Sequence, residues 1–292
     1  NNKLDLTIRF IENFRKYYGS NRNIILLIID NYSSDNTFEF IKSNYKNVNI
    51  VKLNDNYGTT TGRNVGIVFL IEAGCDFIYL SDNDIIIEDN NIFEKLLNFH
   101  NINTQIDGSC PVVRWYDDGT VQTLGTREVR KNWFKNVTKI NDSIFINSLP
   151  GCAQFVKSSA FIKYGVFDND LSPISIEDLE WGMRATRRGA KLAYVRDAEV
   201  YHLQRRDSKN SKEKMGYVLQ GRGVFIRKYF SIQSFIREIR NFFFCTFNYG
   251  LFFTINSYKK GFKKKLENDN FEYNIFKKNL SKYVVDKHFA TI

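Results

Sequence analysis

Proline is scarce in this chain, with three residues in 292, and so are methionine and histidine, with two and three. So little proline excludes a proline-rich linker or disordered protein. The four cysteines, Cys75, Cys110, Cys152 and Cys245, are far apart and form no C-x-x-C pair. That spacing excludes a cysteine zinc cluster and a disulfide scaffold, and it points to packing residues in a reducing compartment. Long hydrophobic runs are lacking too. The longest strongly apolar stretch, Phe242 to Phe253, is about twelve residues and contains Asn248 and Gly250, against the roughly 20 that a membrane-spanning helix needs. No signal peptide is visible, and the chain is expected in the cytoplasm.

What is present is a chain that can build a core: 43% hydrophobic and 15% aromatic residues. The length suits one large α/β domain with an appendage, or two domains. Net charge is +10, but residues from 203 onward carry +12 and those before it −2. The charge therefore belongs to one segment and one kind of partner, and the body is no general nucleic-acid binder.

Along the chain, Leu4, Ile8, Ile11, Phe14 and Tyr18 have helical spacing, with Asp5 placed to cap. NIILLIID (23–30) is an unbroken apolar run that suits a buried strand. Alternation continues with a helix near 36–45, a strand at 48–53, a helix near 60–73, a strand at 76–82 and a helix near 91–99. Strands alternating with helices predict a doubly wound α/β sheet, whose ligands sit beyond the carboxyl ends of the strands. Those ends are polar: Asp30-Asn31, then Asn54 to Gly58, then Asp82-Asn83-Asp84. Short strands across 108–156 predict an antiparallel flap over the substrate. Helices at 158–164 and about 177–188 and a strand at 191–202 complete the body, and from 211 on the periodicity is helical.

Several residues can carry chemistry. In SDND (81–84), two carboxylates one residue apart can face a hard divalent cation that completes its shell with phosphate oxygens, although Asp and Asn also suit a plain turn. In NDNYGTTTGRNVGI (54–67), glycines let backbone approach a ligand and a helix start favours an anion, but neither a P-loop nor a dinucleotide fingerprint is present. Glu177, Asp178 and Glu180 crowd a helix start, more acid than capping needs, and a carboxylate beside a hydroxyl can act as general base. Trp181 is either a stacking plate for a sugar or a core residue, and His202 either a metal ligand or a buried, satisfied histidine.

In order and spacing these pieces resemble the inverting nucleotide-sugar glycosyltransferases of family 2, rhamnosyl- and galactofuranosyl-transferase-like members included. IIDNYSSDNT (28–37) is similar to the family's strand-end D-x-S-x-D-x-T element, and 54–67 to its N-x-G-x-x-x-G-R-N-x-G segment. FIYLSDNDI (77–85) resembles its D-x-D strand, and IEDLEWGMRATRRGAKLAYVRDAEVYH (176–202) its acidic, R-x-x-x-G and V-Y-H run. The resemblance covers about residues 1–230. It implies a GT-A fold, a mixed sheet flanked by helices, over 1–205, with a nucleotide-binding part at about 1–107 and an acceptor part at about 108–205. A basic, aromatic-rich helical region follows at 206–292.

The resemblance also implies roles. Asp30, Asn56, Gly58, Gly62, Arg63, Asn64, Asp82 and Asn83 would bind the nucleotide-diphosphate sugar. Asp82, Asp84 and His202 would hold Mn²⁺ or Mg²⁺, Asp178 would be the base, and Glu177, Glu180 and Trp181 would line the acceptor side. The reaction would be metal-dependent inverting transfer of a hexose to a hydroxyl of a glycan or lipid-linked acceptor, as in polysaccharide biosynthesis. Two departures stand out. The chain begins at the first helix, so the strand with which the family opens is expected to be missing. The Q-x-x-R-W element of processive members is absent, with QGRG (220–223) a loose echo, which implies single or few transfers. A nucleotidyltransferase, or a binding protein with a decayed site, is the alternative. The aromatics and lysines of 232–268 suit peripheral contact with the inner face of a membrane, or else pack on the domain; no nucleic-acid module is recognisable.

Overall fold

The computed structural model describes residues 3–140, 143–172, 176–203, 212–267 and 271–290. The first helix, α1 (Leu4–Tyr18), buries Phe10, Ile11, Phe14 and Tyr18 on one face. Asp5 lies in its first turn without capping it; the Leu4 N–H is instead taken by Asp35 Oδ2 at 3.0 Å, from the loop after the next strand. There follow β1 (Leu27–Asp30), α2 (Thr37–Asn44), β2 (Asn49–Leu53), α3 (Gly58–Glu72), β3 (Phe77–Ser81), β4 (Ile85–Ile86) and α4 (Ile92–Ile102). All the expected alternations are present. β1 is shorter than its apolar run because its pairing with β2 begins only at Leu27↔Asn49.

The segment read as a flap divides in two. β5 (Gly108–Trp115) is buried at every position but Arg114, and β10 (Ala153–Lys157) lies between it and β3. Both are central strands of the large sheet, paired along both edges and buried on both faces. Only β6 (Val121–Thr123), β7 (Thr126–Arg130), β8 (Trp133–Asn136) and β9 (Phe145–Ile146) are peripheral, with β7 and β8 an antiparallel hairpin. After α5 (Ser158–Tyr164) and α6 (Glu177–Arg187), β11 (Leu192–His202) pairs in parallel with β5 and, at its last two residues, antiparallel with β4.

The large sheet runs β3-β10-β5-β11-β4, and β1-β2 form part of a second sheet. Both β1 and β3 have a free edge, and these edges line one cleft of about 1050 Å³, with α3 residues Gly62, Gly66 and Leu70. Among the described residues no strand lies between them.

The tail holds α7 (Lys212–Lys228), α8 (Ile232–Tyr249), α9 (Leu251–Lys263) and α10 (Tyr273–Lys278), as the periodicity predicts. It then returns as β12 (Val284–His288), antiparallel on the outer edge of β2, an unforeseen strand. Lys228 ties α7 to the body through Asp168 at 2.6 Å and Asp170 at 2.5 Å. Gly223 of the 220–223 segment and Gly261 of α9 serve helix packing: a Cβ on Gly223 would meet the Tyr258 carbonyl at 3.0 Å, and one on Gly261 would overlap the Gln220 carbonyl.

The main core joins both sheets and includes Val51, Ile78, Val156, Phe161 and Trp181. α6 is pressed onto residues 147–148, just after β9, where a Cβ on Gly182 would come within 2.5 Å of the Asn147 carbonyl and the Ser148 Cα. Backbone cannot give way cheaply, so Gly182→Ala is expected to cost on the order of 3 kcal/mol. Chemical denaturation would show this as a lowered midpoint, and an unchanged midpoint would disprove the contact.

Candidate active site

Three carboxylates and one guanidinium meet where α3, the end of β3 and the start of α6 converge. Arg63, in the second turn of α3, donates from one nitrogen to Glu177 Oε1 and from the other to Asp82 Oδ1, both at 2.8 Å. Burial works against its charge, but the carboxylates of Asp82 and Glu177 outweigh that and hold it protonated. Asp178 follows Glu177 at the start of α6. Its Oδ2 accepts from the Gly151 N–H at 2.9 Å, and its Oδ1 from the Leu179 N–H at 2.8 Å. Burial raises the Asp178 pKa, with Arg63 opposing. Burial and the Asp178 charge likewise raise that of Glu177, again against Arg63. The residue before α6, Ile176, has φ 46°, a conformation a β-branched side chain adopts at a cost, so the turn presenting these acids is held against local preference.

A second pair lies one strand end away. The pairing of Tyr201↔Ile86 and His202↔Ile85 sets His202 beside the turn between β3 and β4. There His202 Nε2 stands 3.3 Å from Asp84 Oδ1. His202 Nδ1 lies 2.9 Å from Gln122 Oε1, and the Trp115 ring stacks on the imidazole with an interplanar angle of 1°. With Nδ1–H donated to Gln122, Nε2 is the ring nitrogen turned towards the Asp84 carboxylate. Asp84 Oδ1 is buried and meets only His202, and a carboxylate and an imidazole nitrogen side by side can share a cation. Carboxylate plus imidazole fits Mn²⁺ or Mg²⁺ with diphosphate and water as remaining ligands. Among the described residues no group of three or more acids, histidines or cysteines forms a fuller metal site.

Two further polar atoms in the same cleft are buried without partners, Asp30 Oδ2 and the Tyr79 hydroxyl. Asp30 ends β1, and its other oxygen accepts from the Ser33 N–H at 3.0 Å. Buried polar groups are normally satisfied, so unpartnered ones gathered in one cleft mark a place for a polar ligand.

The model of the family described as "Glycosyl transferase family 2" matches residues 2–164, more than half of the chain. The chain belongs to glycosyl transferase family 2. Among solved structures, "Crystal structure of GalNAc-T7 with UDP, GalNAc and Mn2+" is similar, with a TM-score of 0.60 at 14% identity, over 76% of this chain and 45% of that one. The likeness is one of fold, and this family 2 member has the GT-A architecture. It spans less than half of the GalNAc-T7 chain. No curated protein matches it closely enough to count as a relative.

The fold thus brings Asp30, Gly58, Gly62, Arg63, Asp82, Asn83 and Asp84 of this family 2 chain to one cleft. Gly58, with φ 79°, opens α3, and its N–H is 3.2 Å from Asn56 Oδ1. Asn56 also accepts from Asn31 Nδ2 at 3.0 Å, so it knits the first two strand-end loops together. Gly62 faces Ile29, and Asn83 donates to Thr7 Oγ1 at 3.0 Å.

Three expectations differ from what is found. Asn64 is fully buried and spends its amide on Phe167, donating to its carbonyl and accepting from its N–H at 2.9 Å each, so it clamps the loop at 167–169 and does not face the cleft. Glu180 is fully buried against Arg184 and the Tyr229 hydroxyl. Trp181 is fully buried too, donating to the Gly165 carbonyl at 2.7 Å. These two fasten α6 to the core and line no acceptor surface. Gln122 and Gly151 were not foreseen. Gly151 follows Pro150, a turn signal, whereas nothing local marks Gln122.

Removing one member of a buried charge cluster strands the others, so Arg63→Ala is expected to cost about 3–5 kcal/mol. Asp82→Asn should cost clearly less, since the Asp82 side chain is 41% exposed and water screens it. Urea titration of both variants checks the order, and equal losses would refute it.

Proposed function

We propose that this chain transfers a sugar from a nucleotide-diphosphate sugar to a hydroxyl of a glycan or lipid-linked acceptor, with inversion at the anomeric carbon. The observation that carries the reading is the gathering in one cleft of unpartnered Asp30 Oδ2 and of Asp84, which His202 backs, beside the Arg63-bound acids. Asp30 Oδ2 would accept from the N–H of the nucleotide base. Asp84 and His202 would hold Mn²⁺ or Mg²⁺, which as a Lewis acid stabilises charge gathering on the diphosphate. The crystallisation of GalNAc-T7 with UDP and Mn²⁺ agrees with that ligand class. Asn56 and Gly58 shape the loop beside the donor, while Asp82, fixed by Arg63, and Asn83 border the ribose and diphosphate.

Asp178 would be the base. Its raised pKa makes it a better proton acceptor than a free aspartate, and the Gly151 and Leu179 N–H groups orient it. The acceptor hydroxyl gives its proton to Asp178 while its oxygen bonds to the anomeric carbon. The bond from that carbon to the diphosphate breaks on the opposite face, so one displacement inverts the centre without a covalent enzyme intermediate. Arg63 keeps Asp82 and Glu177 from repelling one another, Glu177 borders the acceptor side, and Glu180 and Trp181 hold α6 in place. Transfers would be single or few.

Asp178→Asn is expected to lower kcat about 10²–10⁴-fold while nucleotide binding survives. For the parent chain, the base must be ionised, so the rate should rise with pH through an apparent pKa above the ordinary aspartate value of about 3.9. That value belongs to the Glu177–Asp178 pair. Transfer assays on a panel of acceptors, with the product anomer read by NMR, check both. A fully active Asp178→Asn variant, or a product with retained configuration, would refute the mechanism.

A further inference from the structure

Helix α8 is built inside out. Its inward face carries Ser234, Glu238 and Cys245, all buried. Glu238 is held there by Arg222 at 3.0 Å, Arg237 at 2.7 Å and the Tyr258 hydroxyl at 2.7 Å. Its outward face carries Ile232, Ile236, Ile239, Phe243 and Phe247 at three- and four-residue intervals, all exposed, Phe247 to 92%. An amphipathic helix on a protein core normally does the reverse. After the turn at Gly250 (φ 94°), α9 repeats the pattern: Thr254, Ser257, Gly261 and Tyr258, whose hydroxyl meets Glu238, are buried, while Leu251, Phe252 and Ile255 are exposed, Phe252 to 81%. The two helices pack on each other, so their outward faces form one apolar surface. A contiguous patch of this kind marks an interaction site.

Charge identifies the occupant. The exposed residues beside the apolar surface include Arg240, Lys259, Lys260 and Lys263. The single acid on these two helices, Glu238, is buried and already paired. A second copy would bring the same cations face to face. A layer of lipid phosphates would match them, with acyl chains beneath to receive the phenylalanines. No helix among the described residues is long and apolar enough to cross a membrane. We propose that α8 and α9 form a docking surface for an anionic bilayer, lying in its interface with the phenylalanines inserted and the lysines at the headgroups. The surface is separate from the cleft, so the proposal stands apart from the transfer reaction.

Flotation with phosphatidylcholine vesicles, with and without phosphatidylglycerol, tests this on the full chain. Binding is expected with phosphatidylglycerol present and should weaken as salt rises. Phe243→Ser combined with Phe247→Ser should reduce binding at least tenfold. Each of Lys259→Gln, Lys260→Gln and Lys263→Gln should reduce it on the order of fivefold at low salt. All these side chains point outward, so thermal unfolding should be unchanged. If the double variant misfolds, Phe247→Trp decides alone, since brominated lipid must quench its fluorescence. Absence of binding to anionic vesicles, binding indifferent to the phenylalanine changes, or a solution dimer that those changes dissociate would each overturn the proposal.

Discussion

A single buried guanidinium holds the working edge of this molecule together. Arg63 reaches Asp82 at the end of β3 and Glu177 at the start of α6, each at 2.8 Å, and so locks three elements far apart in sequence. Such a cluster is stable only when complete, because each charge pays for its burial through its partners. Gly151 sits against it: a Cβ there would stand 3.1 Å from Asp178 Oδ2 and 3.2 Å from the Arg63 guanidinium. Glycine thus lets the backbone N–H that orients Asp178 approach without pressing on either side chain. The position of the proposed base follows from packing around Arg63, and its basicity from burial, which outweighs the Arg63 charge.

Much of this was legible in the sequence because the relevant signals are local. Apolar runs and helical periodicity gave the βα alternation, and the polar strand ends located the cleft. Where partners are distant, local pattern could not decide. Trp181 and Glu180 carry the same residue types whether they face a sugar or the core, and only the approach of Gly165 and Tyr229 buries them. Asn64 looked like a ligand contact because it follows a glycine and an arginine at a helix start. Its true partner, Phe167, is about a hundred residues on. β12 was missed because its pairing with β2 spans most of the chain, and β5 read as flap because its neighbours, β10 and β11, come later.

The two ends of the charge distribution have different structural meanings. In the body, acids and bases are spent on one another around Arg63, Arg184 and Lys228. In α8 and α9 the one acid is consumed inside with Arg237, and the other cations, Arg240 and Lys259, Lys260 and Lys263, stay outside. The tail's aromatic content was visible in the sequence, but the direction of the stripe was not. Only the burial of Glu238 with Arg222 and Tyr258 fixes which face of α8 turns in.

The central claim is that the cleft between β1 and β3 is a donor site needing a metal at Asp84 and His202. Calorimetric titration of the chain with UDP, GDP and dTDP, with and without Mn²⁺, tests it directly. The account predicts binding of one nucleotide that depends on Mn²⁺ and is lost in Asp84→Ala. A folded protein that binds none of the three, or one whose binding is unaffected by both the metal and the Asp84 change, would contradict it.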